Sequence, residues 1–386
     1  MLPPLSQLEA QHSAAVAGLI GAEIAAAGGW ITFERFMELA LYAPGLGYYS
    51  AGSHKLGAGG DFVTAPEVSG LFGRCVARAC AGVLEATGGD ILELGAGTGR
   101  LAAQLLTALA GSGTLPRRYA ILEVSADLAA RQQAALALLP PPLRERVEWL
   151  SELPRDFRGV MLANEVADAL PCRRFAVRGS GLVRELGVAL EAQGAFRETD
   201  GEPSAELARE WQELAGSLGA ALPAGYVSEV CPRASAWIAS LADSLAQGAV
   251  LVFDYGLPRR HYYHPQRLTG TLRCHFRQRV HDDPYINVGV QDITAWVDFT
   301  RLAEAALAAQ LEVTGFTTQA AFLLESGIEA QVAQAPEARE RARLAGEARR
   351  LMMPEEMGEA FKVLAMGRGT SVVPGGFTLQ DLRHLL

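Results

Sequence analysis

Cysteine is scarce in this chain of 386 residues, and what there is stands far apart. Cys75, Cys80, Cys172, Cys231 and Cys274 form no CxxC pair and are odd in number. That argues against a zinc site or a disulfide framework and for buried thiols in a reducing compartment. Basic charge is also short: 34 Lys and Arg face 43 Asp and Glu, a formal net charge of −9. Nucleic acid is therefore not expected as a partner, because phosphates need clustered cations. No uncharged apolar run nears the ~20 residues that span a bilayer, so no membrane partner is expected either. The start, Met1-Leu2-Pro3-Pro4, carries no early Lys or Arg, and Glu9 and Glu23 fall inside the first helical pattern. Leaders for secretion or mitochondria look different, and the expectation is a cytoplasmic protein.

What is present is a core-forming composition, 49% apolar and 20% charged, which points to one enlarged α/β unit. Residues 5–43 have helical periodicity, with Thr32 as N-cap for a helix through Phe33, Phe36, Met37 and Leu41. Pro44-Gly45 ends it, and Gly57-Ala58-Gly59-Gly60-Asp61-Phe62 is glycine-dense enough for turns or close approach to a ligand. A helix follows over 68–84. Beyond Gly88-Gly89, strands at 90–94, 119–124, 147–150, 160–163 and 249–253 alternate with helices, and 311–317 and 361–366 supply two more. The alternation predicts a parallel, Rossmann-like sheet with helices on both faces. Long excursions at about 171–247 and 257–305 exceed what a crossover needs, and belong over the ligand crevice. The expected organisation is an N-terminal helical and lid segment (1–87), a nucleotide-binding-type domain with both insertions (88–369) and a C-terminal tail (370–386).

The glycines of Glu93-Leu94-Gly95-Ala96-Gly97-Thr98-Gly99 lie where a strand becomes a helix. A dinucleotide fingerprint, G-x-G-x-x-G, would put its third glycine at Arg100; here it falls one residue earlier, at Gly99. That spacing resembles motif I of class I methyltransferases, whose cofactor has no pyrophosphate to cradle. Glu123, at the end of the second strand, can accept both ribose hydroxyls, as acids there do in nucleoside-binding folds generally.

Further segments follow in a distinctive order: Tyr42-x-Pro44-x-x-Gly47-Tyr48-Tyr49, Gly60-Asp61-Phe62-Val63-Thr64-Ala65-Pro66-Glu67, Ala163-Asn164-Glu165 with Asp168-Ala169-Leu170-Pro171, and Asp254-Tyr255-Gly256. Gly270-Thr271-Leu272-Arg273, the run from Asp292 to Phe299, and Met357-Gly358-Glu359-x-Phe361-Lys362-Val363 complete the set. From about residue 31 to 367 the chain resembles the MidA-type family of class I S-adenosylmethionine-dependent methyltransferases, whose eukaryotic members include a mitochondrial arginine methyltransferase. Two positions depart from the family pattern: Val288-Gly289 where Pro-Gly is usual, and Trp296 where His is common. No role for that imidazole is implied.

The resemblance implies S-adenosylmethionine as cofactor, S-adenosylhomocysteine as product, and a protein substrate of unknown identity, with arginine as the acceptor in the mitochondrial case. The expected cofactor-binding residues are Glu93, Gly95, Ala96, Gly97, Gly99, Glu123, Val124 and Asn164, with Asp61, Phe62, Thr64 and Glu67 in a lid folding over the adenosine. Methyl transfer to a guanidinium needs carboxylates that grip it. Glu165 and Asp168, just past the fourth strand, are the catalytic candidates; their other reading is the first turn of a helix capped by Asn164. Glu229, Asp254 and Tyr255 are weaker candidates. His261, His264, His275 and His281 share one excursion, but their spacing matches no metal site, and none is expected. Two other readings stand: a methyltransferase for small molecules, and a cofactor-binding assembly factor with little turnover. A homodimer is left open.

The glycine spacing predicts that calorimetry will detect S-adenosylmethionine and S-adenosylhomocysteine but not NAD. Gly97→Val should abolish the heat, because a branched side chain would fill the ligand's approach surface. Tight NAD binding with no S-adenosylmethionine heat would leave only the fold reading.

Overall fold

A computed structural model of the chain describes residues 2–51 and 63–386. Its centre is a sheet built on seven strands: β1 (Asp90–Leu94), β2 (Tyr119–Leu122), β3 (Val147–Leu150), β4 (Phe157–Asn164), β5 (Leu245–Leu257), β6 (Glu312–Thr318) and β7 (Phe361–Arg368). Their spatial order is β6-β7-β5-β4-β1-β2-β3, with Val297–Asp298 beside the end of β5. The expected Rossmann-like arrangement is therefore present. One detail differs: β7 is antiparallel to both β5 and β6. Its residues Phe361 to Gly367 are all buried, and a strand buried on both faces reads as the same apolar run in either direction. Sequence alternation alone could not orient it.

Each face is sealed by helices whose apolar stripes meet at the sheet. Gly70–Thr87 and Arg100–Ser112 pack on one face around Phe72, Leu105 and Phe253. Pro232–Ser244 and Phe299–Ala308 cover the other around Ile238, Leu302 and Phe316. No helix among the described residues is long and apolar enough to cross a membrane.

The first excursion folds into an antiparallel sheet of Arg173–Val177, Val183–Leu190, Phe196–Gly201 and Val227–Val230. Its fifth strand is Ile31–Thr32, which pairs with Val188 and Gly187. Gly187 is forced by this contact, since a Cβ there would lie 2.3 Å from the carbonyl oxygen of Ile31. The N-terminal helices Gln7–Ala26 and Phe33–Tyr42 thus belong to one lobe with the insertion, held by Glu34 between Arg233 (2.6 Å) and Arg173 (3.0 Å).

Residues 370–386, expected as a tail, lie along the outer strand β6 as a strap. Leu382 donates its amide to Phe316 at 2.8 Å, and Gln380 Oε1 accepts from the Thr318 amide and hydroxyl. Glu325 accepts from the amides of Thr378 and Leu379. Phe377 packs on Phe322 and over Gly315, where a Cβ would approach its ring to 2.4 Å. An edge strand is a liability for aggregation unless covered, and this segment covers it. Phe377→Ala should cost about 3 kcal/mol by opening a cavity under the strap. Thermal melts of the variant should fall by several degrees; unchanged melts would mean that the strap contributes nothing to the fold.

Candidate active site

The glycine turn after β1 needs its glycines for two reasons. Gly95, Gly97 and Gly99 have φ of +61°, +54° and +79°, a region that L side chains rarely adopt. Gly99 also abuts the next helix, where a Cβ would stand 3.4 Å from the Cα of Gln132. The helix Arg100–Ser112 begins here with no side-chain cap, so its first amides point into the turn unclaimed by side chains. Beneath the turn Glu93 is buried and accepts from the Tyr119 hydroxyl at 2.7 Å. Burial pushes its carboxyl up to about 7.

Glu123 stands one residue past β2. One oxygen accepts from the Ser125 amide at 2.9 Å and the other from Gln132 Nε2 at 2.8 Å. The same Gln132 amide donates to the carbonyl of Gly97 at 3.0 Å and accepts from the Trp149 indole at 3.0 Å. Gln132 is therefore the clamp between glycine turn and acid, and the sequence reading missed it. The available signal was a polar residue at the middle of the apolar stripe Leu128, Gln132, Leu136.

Thr64 precedes the short helix Ala65–Val68, whose Glu67 reaches back to the glycine turn. Thr98 donates to one of its oxygens at 2.5 Å and Arg100 to the other at 2.9 Å. Gln104 donates to the Pro66 carbonyl at 2.9 Å, and Ser69 to Glu347 at 2.6 Å. This segment is latched to the Rossmann-like unit at both ends. Asp61 and Phe62, the other lid candidates, lie outside the described residues.

A cavity of about 320 Å³ opens between these elements. Thr64, Glu67, Glu93, Gly95, Ala96, Gly97, Glu123, Val124, Asn164 and Glu165 all line it, so most of the expected residues are brought together. Val124 is 80% exposed, an apolar side chain held out in the open. Gly99 supports the turn from behind. Tyr42, Tyr49 and Trp237 also line the cavity and had been assigned no role. Tyr42 donates to the Ala169 carbonyl at 2.9 Å and Tyr49 to Asp292 Oδ1 at 2.9 Å, while their rings stack at 5.5 Å.

Past β4 no helix begins, so Asn164 caps nothing. The turn is held instead by Asp254, whose Oδ2 accepts from the amides of Ala167 (3.0 Å) and Asp168 (3.2 Å). Within it Glu165 adopts φ +54°, a strained conformation for a side chain of its size. Its amide donates to Phe253 at 2.8 Å and Asn164 donates to its carboxyl at 3.2 Å. Burial, then Asp168 beside it, push Glu165 up to about 8. Asp168 is raised to about 6 by burial, and Asp254 is raised well above its usual range by burial, Asp168 and Glu165. Asp168 does not reach the large cavity; it lines a second one of about 20 Å³.

Glu229 is engaged elsewhere, accepting from the Thr271 amide at 2.9 Å and facing Arg174 at 3.5 Å. Gly270 leaves it room, for a Cβ there would sit 2.5 Å from its oxygens. Among the described residues no three His, Cys, Asp or Glu side chains come together as a metal site. The five cysteines are free, and all but Cys231 are buried.

Carboxyls raised by folding have a defined effect on stability. The native state holds their protons where the unfolded chain has released them, so their contribution is full below about pH 4.5 and lost as pH climbs through about 7 and 8. The melting temperature of the ligand-free protein should fall between pH 6 and pH 9. It should fall less in Glu165→Gln, which removes the group with the higher of the two values. Parallel falls in both proteins would show that Glu165 titrates normally.

Comparison with known proteins bears on this geometry. A family model described as S-adenosyl-L-methionine-dependent methyltransferase matches residues 75–317. Protein arginine methyltransferase NDUFAF7, mitochondrial, of Mus musculus is 30% identical over 374 residues, spanning 88% of this chain and 81% of its own. The Drosophila melanogaster homolog is 27% identical and spans 96% and 90%. A crystal structure from Burkholderia thailandensis, bound to S-adenosyl-homocysteine, superposes with a TM-score of 0.94 at 43% identity and full coverage of both chains. The motifs and their order had led to the same place: the chain belongs to the MidA-type family of S-adenosylmethionine-dependent methyltransferases.

Proposed function

We propose that this chain methylates an arginine side chain of a protein, with S-adenosylmethionine held in the 320 Å³ cavity. The observation that carries the acceptor is Glu165, a carboxyl on the cavity wall whose proton affinity is raised by burial and by Asp168 beside it. Uncompensated buried carboxyls are costly, and a cationic guest relieves that cost. A planar guanidinium suits a carboxylate by forked hydrogen bonding. The arginine methyltransferases among the relatives point the same way.

The cofactor's fit rests on the residues around the cavity. Glu123, oriented by Ser125 and Gln132, would take the ribose hydroxyls. The exposed Val124 would cover the adenine, and the glycine turn with Glu93 below would receive the methionine end. The bound cofactor supplies an electrophilic methyl group. Glu165, on the cavity wall, would grip the acceptor and take up the proton it sheds, a role suited to a carboxyl raised near 8. The tyrosines Tyr42 and Tyr49, their hydroxyls already engaged, would present ring surface to a flat cation.

Radiolabelled methyl transfer into lysate proteins, followed by acid hydrolysis, tests the reading directly. Label in methylarginines is the expected result. Label in lysine or in small molecules would sink the acceptor, and tight cofactor binding with no label at all would favour a binding role. Glu165→Gln should bind S-adenosylhomocysteine within about threefold of the parent yet lose roughly 100-fold in turnover, the low end for one positioned acid-base group. Wild-type turnover in that variant would remove Glu165 from the chemistry.

A further inference from the structure

Gln132 is fully buried in the helix Ala126–Leu136, at a position where an apolar residue would ordinarily pack. It does not line the 320 Å³ cavity, but both groups held by its amide nitrogen belong to residues that do. Nε2 has two protons to give. It donates to the Gly97 carbonyl at 3.0 Å and to Glu123 Oε2 at 2.8 Å. Oε1 accepts at 3.0 Å from the indole N–H of Trp149 on β3, a group that can only donate. Two acceptors at one end and one donor at the other fix which way the amide faces. Gly99 lets the helix come this close, since a Cβ there would meet the Cα of Gln132 at 3.4 Å.

We propose that Gln132 is a positioning residue for the cofactor, presenting Glu123 to the ribose hydroxyls and the Thr98 amide to the methionine carboxylate. The inference rests on the cofactor placement given above. Glu123 accepts from the Ser125 amide on one oxygen and from Gln132 on the other, so its carboxylate cannot turn about its last bond. At the glycine turn the argument is one of peptide geometry. A trans peptide carries its C=O and the next N–H on opposite sides. The Gly97 carbonyl is drawn to Gln132, so the Thr98 amide is turned the other way, and Thr98 lines the cavity. One buried side chain thus aims an acceptor and a donor from outside the cavity.

The electrostatics give this role a signature. Burial raises the Glu123 carboxyl, while the Ser125 amide and Gln132 hold it down. Glu93 under the turn and Tyr42 from the N-terminal helix face it, both raised by burial and to a lesser degree by its charge. Asp127 and Arg131, on the helix of Gln132, pair with each other at 2.9 Å.

Calorimetry on the full chain with S-adenosylhomocysteine tests the proposal. Gln132→Glu keeps the shape but sets a carboxylate against Glu123 and the Gly97 carbonyl. At about pH 8.5 its Kd should exceed the parent's by roughly 10- to 100-fold, the range for one charge-assisted hydrogen bond. That gap should narrow by about pH 6, because two adjacent carboxyls share a proton, and the proton restores the missing donor. Gln132→Met fills the space and donates nothing, so its gap should hold or widen as pH falls. A parent-like Kd in both variants, or a Gln132→Glu gap that ignores pH, would overturn the proposal. Adenosine keeps the ribose and lacks the carboxylate, and should lose less affinity than S-adenosylhomocysteine. Equal losses would overturn the Thr98 half. Glu123→Ala separates this inference from the placement beneath it. A parent-like Kd there would overturn the ribose placement itself; weakened binding there, with both Gln132 variants like the parent, would overturn only the role of Gln132.

Discussion

Asp254 fixes the geometry on which the rest of the site depends. It lies within β5 and takes the amide protons of Ala167 and Asp168 on one oxygen and that of Tyr255 on the other, at 2.9 Å. Charge-assisted bonds of this kind contribute about 1.5 to 3 kcal/mol each. A fully buried carboxylate gives up hydration worth several kcal/mol in return, so the two nearly offset. Asp254 is therefore better understood as a source of shape than of stability. With its three amides held, the chain leaving β4 cannot continue straight, and Glu165 and Asp168 are sent to opposite walls of the turn.

That turn is held against its own preference. Glu165 in the left-handed region costs roughly 1 kcal/mol, and its pairing with Phe253 across the strand is one contact that keeps it there. The neighbouring carboxyls add mutual repulsion whenever more than one is ionised. Backbone strain of this kind persists where the surrounding structure over-determines it, and it concentrates at sites of chemistry. On the proposed function, an arriving guanidinium replaces the protons that otherwise neutralise the cluster. Part of the acceptor's binding energy then comes from relieving a cost the fold has already accepted.

How much of this was legible in the sequence depends on the range of the interaction. The glycine turn, Glu123 and the helix start at Thr32 were legible because each is decided within a few residues by backbone conformation or capping. The reversal of β7 was not, since an apolar run carries no direction. Neither was the strap, because residues 370–386 form no regular element of their own, and Phe377 finds its place only against Phe322 and Gly315, far away in sequence. Gln132 was visible as a polar interruption of an apolar stripe, but its three partners come from the glycine turn, Glu123 and Trp149. Asp168 was placed in the right turn and on the wrong wall, for reading it as a helix start could not anticipate Asp254, which is supplied by the next strand.

The division of labour between the two lobes explains why the cofactor side was the easier to read. The glycine turn, Glu93 and Glu123 come from one continuous stretch of the Rossmann-like unit. The acceptor side is assembled from the N-terminal helix Phe33–Tyr42, the acid turn and the second excursion. Tyr42 meets Ala169 across 127 residues of sequence, and Tyr49 meets Asp292 across 243. The N-terminal segment that supplies both tyrosines is anchored by Ile31–Thr32 in the inserted sheet and by Glu34 between Arg173 and Arg233. Changes in the excursions can consequently reshape what the enzyme accepts while the glycine turn stays as it is. The same fold can then carry different acceptors, which is why the acceptor here has to be argued from the carboxyls themselves and not from the sheet.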